Sequence, residues 1–239
     1  MDASLGQRMY ETLAEALGTP KTYDDYYMYA SVAIAQADYE KATGYLDGCI
    51  RLTGSAPMRS DLYVKQGCLY ALLENWSQAL AQFTAAIVLN EKNATAYLMR
   101  AQCYAQQNDA KKTLNDLETY RGLAGDEPSL MSAMGQLYQA EGRYEEAVDC
   151  YSKLLSDRSS EFFDGDLYAD RAQCYAMLGR NDEALSDCRS YMELGGTDED
   201  GQIRAVRGIC AMSAGEYAEA AEMFTAAIEC GYAFPAILY

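Results

Sequence analysis

The chain has 239 residues, with 19 Lys and Arg side chains against 36 Asp and Glu side chains, a formal net charge of −17. Such a surface repels the phosphate backbone of nucleic acids and anionic lipid headgroups, so we expect no nucleic-acid partner and no membrane-surface role. No apolar run approaches the roughly 18 residues of a membrane-spanning helix, so we expect no membrane insertion either.

The first predicted element is an amphipathic helix over residues 5–17, LGQRMYETLAEAL. We assign residues 1–22 as an N-terminal capping helix that covers one end of the fold. This stretch lacks a basic segment followed by an apolar core, so it does not have the pattern of a signal peptide.

From Tyr23 onward the sequence repeats itself. The hexapeptide RAQCYA occupies residues 100–105 and again residues 171–176. An aromatic residue followed three positions later by alanine recurs in phase with it, at Tyr39–Ala42, Trp76–Ala79, Tyr144–Ala147 and Tyr217–Ala220. The repeat period is about 34 residues, and some connections are slightly longer. The units begin near Tyr23, Ser60, Ala94, Pro128, Gly165 and Gly201.

Each unit predicts two amphipathic helices. In the second unit one apolar face includes Leu62, Gly67 and Tyr70, and the next includes Trp76 and Phe83. We expect the small residue of each first helix to face the alanine of the second, so that the two backbones approach closely. We also expect caps at the helix starts from Asn93, Asp61, Thr95, Ser129 and Asp166.

A period of this length with Tyr, a small residue, Tyr, an aromatic, Ala and Phe or Tyr at these offsets resembles the tetratricopeptide repeat. The resemblance covers residues 23–234 in six units. It implies an all-α fold, an α-solenoid that forms a right-handed superhelix of stacked helix-turn-helix repeats, with a concave face lined by the first helix of each pair. Residues 235–239 read as the start of a truncated further repeat, which suggests that the natural polypeptide continues.

The resemblance also implies which side chains line the concave face. The peptide-binding candidates are Tyr27, Lys65, Met99, Gln102, Gln136, Gln139, Asp170 and Gln173. Gln102, Gln136 and Gln173 share one position in three consecutive units. An amide both donates and accepts hydrogen bonds, which suits the backbone of an extended peptide. The alternative is that glutamine is only a good helix former on a solvated surface.

Two other interpretations concern charged positions. Some tetratricopeptide proteins hold the C-terminal carboxylate of chaperone tails with a cluster of bases, but the matching positions here hold Tyr27, Ser31, Met99 and Asp170, with Lys65 the one base. We therefore do not expect a chaperone-tail adaptor. The arginines that recur one position further on are expected to be structural, with packed stems and heads paired to acids: Arg100, Arg171 and Arg207.

The sequence offers little for catalysis. Histidine is absent, the eight cysteines include no Cys-x-x-Cys pair, and there is no glycine-rich phosphate loop. We therefore predict no enzyme activity, no cofactor and no metal site. Reduced, mostly buried thiols are typical of the cytoplasm. The alternative location is the cell surface, with the protein anchored by a targeting segment absent from this sequence.

The predicted function is that of a non-enzymatic protein–protein interaction scaffold, which binds an extended or helical peptide segment in a concave groove. Residues 128–200 carry 16 acidic and 6 basic side chains, a net charge of −10, so the partner is expected to be neutral to basic. The alternative is a regulatory or sensory arm of a larger protein whose C-terminal part is missing here.

Overall fold

The computed structural model describes residues 18–158 and 160–232, together with positions 8, 11, 12, 15 and 16. These residues form helices and connecting turns without any strand, so the predicted all-α class is confirmed. From Tyr23 onward the helices are α1 (Tyr23–Ala35), α2 (Tyr39–Leu52), α3 (Ala56–Leu72), α4 (Trp76–Leu89), α5 (Ala94–Gln106), α6 (Ala110–Ala124), α7 (Pro128–Ala140), α8 (Tyr144–Ser156), α9 (Asp166–Met177), α10 (Asn181–Glu193), α11 (Gly201–Ala214) and α12 (Tyr217–Glu229).

The chain divides into two compact units, Met1–Gly125 and Asp126–Tyr239. The first unit holds α1 to α6, and the second holds α7 to α12. Within each unit, consecutive helices pack as pairs, and the second helix of a pair contacts the first helix of the next pair. This is the stacked helix-pair arrangement of an α-solenoid, as predicted. One array of six pairs over residues 23–234 stays a prediction.

The helices follow the repeat boundaries that the sequence indicates. Four predicted unit starts coincide with the first residue of a helix, at Tyr23, Ala94, Pro128 and Gly201. Helix α3 differs, because it begins at Ala56 rather than near Ser60. The Ser55 hydroxyl accepts a hydrogen bond from the Met58 amide at 3.4 Å, and a proline in the first turn has a helical φ, so this helix starts early.

Small residues in the first helix of a pair do make room for the second helix, but the neighbour that needs this room is an aromatic ring rather than the predicted alanine. A Cβ atom added at Gly67 would lie 2.5 Å from the Phe83 ring. The same relation, at the same sequence spacing, holds for Gly135 with Tyr151 and for Gly208 with Phe224. In the helix pairs whose first helix has alanine instead of glycine at this position, the residue that corresponds to the ring is smaller. These residues are Leu46, Leu117 and Cys188.

The turn inside each pair contains one left-handed residue, two positions before the second helix begins. These residues have φ between 56° and 81°: Ala37, Glu74, Asn108, Gly142, Gly179 and Gly215. The three in the second unit are glycines, which adopt this conformation freely. The three in the first unit are not glycines, and the left-handed conformation costs an L-residue roughly 1–2 kcal/mol.

The N-termini of the helices differ between the two units. In the first unit a side chain caps each of α1 to α6, from Thr22, Asp38, Ser55, Asn75, Asn93 and Asp109. In the second unit the Asp200 side chain caps α11, whereas at the cap positions of α7, α8, α9, α10 and α12 no side chain accepts a hydrogen bond from the helix N-terminus. A missing cap costs a helix about 1 kcal/mol.

One of the predicted caps is confirmed and four are wrong. The Asn93 side chain accepts a hydrogen bond from the Ala96 amide at 3.3 Å, as expected. The other four candidates follow the true cap positions and therefore lie inside the helices: Asp61, Thr95, Ser129 and Asp166.

Two predicted segments fall largely outside the described residues. They are the capping helix within residues 1–22, apart from its few described positions, and the further repeat at residues 235–239. Of the helices that the structure does describe, none combines the length and the apolar character needed to cross a bilayer.

Candidate functional site

Seven of the eight predicted site residues lie in three groups, and the first is a pair that joins α1 to α3. The Lys65 ammonium donates a hydrogen bond of 2.8 Å to the Tyr27 phenol oxygen and lies 5.2 Å from the centre of the same ring. Tyr23 stacks on Tyr27, with 6.0 Å between the ring centroids. The one base among the predicted residues therefore already has a partner within the protein.

The second group lies on an apolar cavity of the first unit, between α3, α4 and α5. Its volume is about 440 Å³, and the residues that line it are Cys68, Ala71, Leu72, Trp76, Phe83, Met99, Gln102, Cys103 and Gln106. None of these lining residues is charged. Met99 is half-buried, whereas Gln102 is exposed at the rim. The structure thus places two predicted residues on one cavity with an apolar lining and amide groups at its edge.

The third group is a chain of side-chain hydrogen bonds in the second unit, which we call the glutamine ladder (Tyr151, Gln139, Gln173, Gln202 and Asp170). The Tyr151 hydroxyl donates to the Gln139 amide oxygen at 2.8 Å, and the Gln139 amide nitrogen donates to the Gln173 oxygen at 2.9 Å. The Gln202 nitrogen donates to the same Gln173 oxygen at 3.1 Å and to Asp170 at 3.0 Å. The ladder therefore ties α7, α8, α9 and α11 together.

The three glutamines that share one repeat position differ in their surroundings. Gln102 and Gln136 are exposed, and they make no side-chain hydrogen bond within the described ranges. Gln173 is only 7% exposed, and both Gln139 and Gln202 donate to its oxygen. Gln102 and Gln136 are thus available to a ligand, while Gln173 is an internal structural group.

The glutamine ladder ends at an acidic cavity of about 580 Å³ in the second unit. The cavity is lined by five carboxylates, from Glu161, Asp164, Asp166, Asp170 and Asp200, and by Ser132, Gln136, Phe162, Leu167, Ala169, Tyr191 and Gln202. None of these lining residues is basic. Two predicted residues, Gln136 and Asp170, lie on this cavity directly. Gln173 and Gln139 reach it only through Gln202, which holds Asp170.

The sequence reasoning missed most of the acidic residues of this cavity. Glu161 and Asp164 belong to the connection between α8 and α9, and Asp200 caps α11 by accepting from the Gln202 amide at 2.8 Å. Two sequence signals pointed here without identifying the residues. One is the concentration of acids in residues 128–200. The other is the longer connection at residues 162–164, which places the two RAQCYA hexapeptides further apart than two repeat periods.

The environment of Asp170 disfavours its ionised form. Burial raises the pKa of Asp170, and the charges of Asp166 and Asp164 raise it further, against the opposing hydrogen bond from Gln202. Burial also raises the pKa of the Tyr191 phenol, and Asp200 adds to this shift. A cation placed in the cavity would lower the free energy of the ionised carboxylates.

Each of the three recurring arginines pairs with an acid, as predicted. Arg100 forms two hydrogen bonds to the Asp116 carboxylate, at 2.7 and 2.8 Å, and a third to Thr84 at 3.2 Å. Arg171 binds Asp187 in the same bidentate way at 2.7 and 2.8 Å, and Ser152 at 2.9 Å. The arginine and its acid have the same sequence spacing in both cases. Arg207 pairs instead with Asp198, since the position that matches these acids is Met223.

The cysteines are free thiols. Six of the eight are buried, Cys68 is half-buried and Cys230 is exposed. Among the residues that the structure describes, no three His, Cys, Asp or Glu side chains are arranged to hold a metal ion. The cytoplasmic location stays a prediction.

Comparison with known proteins places the helix pairs in a family. A family model described as the tetratricopeptide repeat matches residues 64–116 and 132–199, which together make up just over half of the chain. The chain belongs to the tetratricopeptide repeat family. The matched ranges contain most of the residues that line the apolar and acidic cavities, so both cavities are features of a tetratricopeptide repeat (TPR) scaffold.

Individual relatives are distant. DnaJ homolog subfamily C member 3 of Gallus gallus is 25% identical over 189 residues, in an alignment that covers 70% of this chain and 35% of that protein. The chain therefore spans about a third of the length of this curated relative.

Solved structures share the fold. YrrB, a TPR protein with an unusual peptide-binding site, superposes with a TM-score of 0.54 at 20% identity, covering 70% of this chain and 84% of YrrB. MamA superposes with a TM-score of 0.54 at 17% identity, covering 72% of this chain and 90% of MamA. A TPR protein from Parabacteroides merdae gives 0.51 at 21% identity over 94% of each chain.

Proposed function

We propose that this chain is a non-enzymatic protein-interaction module whose second unit binds a basic segment of another protein in the acidic cavity. Membership of the TPR family supports the general role, because such repeats present preformed surfaces to partner polypeptides. The observation that carries the specific proposal is the cavity itself, with five carboxylates and no base among its lining residues.

The geometry favours arginine as the side chain that enters. A guanidinium group has five donors in a planar fork, and it pairs with carboxylates in a bidentate manner. The carboxylates come from different elements, with Asp166 and Asp170 on α9 and Asp200 before α11. They therefore surround a ligand instead of offering a single contact.

Gln136 is suited to the backbone of the same segment. It is exposed on α7 at the edge of the cavity, and its amide group has no partner in the described part of the chain. An amide both donates to a peptide carbonyl and accepts from a peptide N–H group. The bound segment is extended or helical, with one or more arginines directed into the cavity.

A pair of blocked peptides tests the proposal. One carries two arginines, and the other carries citrulline, the uncharged isostere, at both positions. We expect calorimetry to give at least about tenfold weaker binding for the citrulline peptide, which corresponds to about 1.4 kcal/mol. Added salt should weaken binding of the arginine peptide, since exposed charges are screened.

Matched variants separate the cavity from the general acidity of the chain. Asp164→Asn with Asp166→Asn removes two charges from the cavity, whereas Glu222→Gln with Glu229→Gln removes two from exposed positions on α12. We expect the first double variant to lose the arginine peptide and the second to keep it. Equal loss in both would mean non-specific attraction to an acidic protein and would reject the proposal.

A further inference from the structure

The apolar cavity of the first unit stands apart from the acidic cavity in its chemistry. Three of its lining residues carry sulfur, namely Cys68, Met99 and Cys103, and its aromatic residues are Trp76 and Phe83. Burial raises the pKa of the Cys103 thiol to about 11, and burial also raises the pKa of Cys68. Both thiols are therefore neutral at pH 7 and contribute apolar, polarisable surface.

We propose that this cavity is a second recognition site, which takes an aromatic side chain from an uncharged segment of a partner protein. Sulfur atoms make favourable contacts with aromatic rings, and aromatic pairs prefer tilted or offset packing that a ring beside Trp76 can adopt. A branched aliphatic side chain would fill the same space without these contacts. The sulfur-rich lining therefore selects a ring over an aliphatic group of similar size.

The rim of the cavity carries amide groups that can form hydrogen bonds with the peptide backbone on either side of the bound ring. Gln102 and Gln106 both lie on α5 and are exposed, and neither makes a side-chain hydrogen bond within the described residues. Leu72, at the end of α3, is 62% exposed at the same edge. A bound segment would cover Leu72 and satisfy both amides, and no charged group lines the cavity to attract or repel it.

Charge argues against a second copy of this chain as the occupant. Each copy carries a net charge of −17, so two copies repel one another. The apolar residues 233–239, AFPAILY, are a candidate occupant from this chain itself. Each of these two occupants predicts a result different from that of a partner peptide.

Trp76 reports directly on this cavity, since it is the one tryptophan in the sequence and it lines the cavity. The probes are three blocked neutral pentapeptides that differ only in the central residue, Phe, Leu or Ala. Added to the full chain, the Phe peptide should change the tryptophan emission saturably. It should bind about threefold to tenfold more tightly than the Leu peptide, as expected for sulfur–aromatic contacts. The Ala peptide should have no effect.

Two variants with the same change in charge test the position of the site. Leu72→Glu places a carboxylate at the rim, whereas Val88→Glu places one on α4 outside the cavity, at a residue that is 76% exposed. Leu72→Glu should abolish the response to the Phe peptide, and Val88→Glu should retain it, with unchanged helicity in both variants. An unchanged emission with every peptide, or equal binding by the Leu72→Glu variant, would overturn the proposal.

The other occupants give distinct results. A shift of emission with protein concentration, together with a dimer in sedimentation, would assign the cavity to a second copy. A shift on removal of residues 233–239 would assign it to the chain's own terminus. Either result would replace the proposal. The inference does not depend on the acidic cavity, because Leu72→Glu leaves every residue that lines that cavity in place.

Discussion

The ring of Phe83 occupies the space that a side chain at Gly67 would need, and a Cβ atom there would lie 2.5 Å from the ring. We expect Gly67→Ala to lower the free energy of unfolding by about 1–3 kcal/mol, because the cost of overpacking exceeds the roughly 1 kcal/mol that alanine gains over glycine in a helix. Urea unfolding followed by circular dichroism measures the change.

A matched control and a rescue belong with this test. Gly44 lies in α2 with no atom within 4 Å of an added Cβ, so Gly44→Ala should stabilise the protein by up to about 1 kcal/mol. Combining Gly67→Ala with Phe83→Leu recreates the alanine–leucine pair found at Ala101 and Leu117, and it should cost less than the two single changes together. Stabilisation by Gly67→Ala alone would contradict the packing argument.

The buried ion pair of Arg100 and Asp116 gives a second prediction. Asp116 is 1% exposed, so Arg100→Met leaves a carboxylate without its partner and should cost about 3–5 kcal/mol. The matching positions of α7 and α8 hold Met134 and Cys150, both fully buried. Arg100→Met with Asp116→Cys copies that neutral pair and should recover most of the loss. If the double variant is as unstable as Arg100→Met, the ion pair has a role beyond neutralising a buried charge.

The glutamine ladder predicts that two glutamines in one repeat position behave differently. Gln173→Ala removes the acceptor of the Gln139 amide and leaves the Gln202 amide with Asp170 alone, which should cost about 1–3 kcal/mol. Gln136→Ala, at an exposed position, should leave the unfolding midpoint unchanged while weakening the binding of the arginine peptide. Equal midpoints for both variants would contradict an internal role for Gln173.

Asp170 links binding to stability. Burial raises the pKa of Asp170 in the folded protein. A carboxyl of this kind stabilises the fold when the pH is below the pKa that it has in the unfolded chain. This stabilisation is lost as the pH rises through the higher pKa of the folded state. Asp170→Asn should therefore raise the free energy of unfolding at pH 7. The advantage should disappear below about pH 4, the pKa of an unfolded Asp. Unfolding curves at several pH values test this, with Glu222→Gln, which removes one carboxylate at an exposed position outside the cavity, as a control.

The same variant should bind the arginine peptide more weakly, since it removes one cavity carboxylate. A gain in stability with a loss of affinity would show that Asp170 is retained at a cost to the fold. A loss of stability at pH 7 would contradict the assigned cause of the pKa shift.

The missing caps of the second unit provide a fifth prediction. Glu216 is the cap residue of α12 and makes no side-chain cap hydrogen bond, although its φ and ψ of −86° and 62° are close to those of the capping Asn75, at −85° and 71°. Glu216→Asn should therefore stabilise the protein by about 1 kcal/mol. The reverse control, Asn75→Ala, should destabilise it by a similar amount. Differential scanning calorimetry checks both, and no gain from Glu216→Asn would mean that the end of α12 is limited by its packing.

The sequence was sufficient for the features that repeat. The period, the two helices in each unit and the all-α class follow from local patterns that recur along the chain, such as the aromatic and alanine of Trp76–Ala79. The aromatic neighbour of Gly67 could also have been found, since a ring at the spacing of Phe83 recurs after Gly135 and Gly208.

The sequence was insufficient where neighbouring repeats differ. Gln102 and Gln173 share one repeat position, yet only Gln173 accepts hydrogen bonds from Gln139 and Gln202. In the repeat before Gln102, the position that corresponds to Gln139 is Ala71, which has no amide to donate. The acidic cavity poses the same difficulty, because its carboxylates come from a connection, a helix and a cap that no single pattern joins. Tertiary packing, rather than helical periodicity, determines which side chains meet.

The two repeat positions that Arg100 and Asp116 occupy hold different residues in different repeats, and this difference disfavours misfolding. In the first repeat these positions hold the adjacent rings of Tyr29 and Tyr45. In the third and fifth repeats they hold a bidentate ion pair, and in the fourth they hold Met134 and Cys150. A chain that docked α5 onto α8 would bury the Arg100 guanidinium against a thiol, at the cost of an uncompensated charge. Near-identical repeats are prone to such exchange, and these unlike pairs penalise it while folding is still in progress.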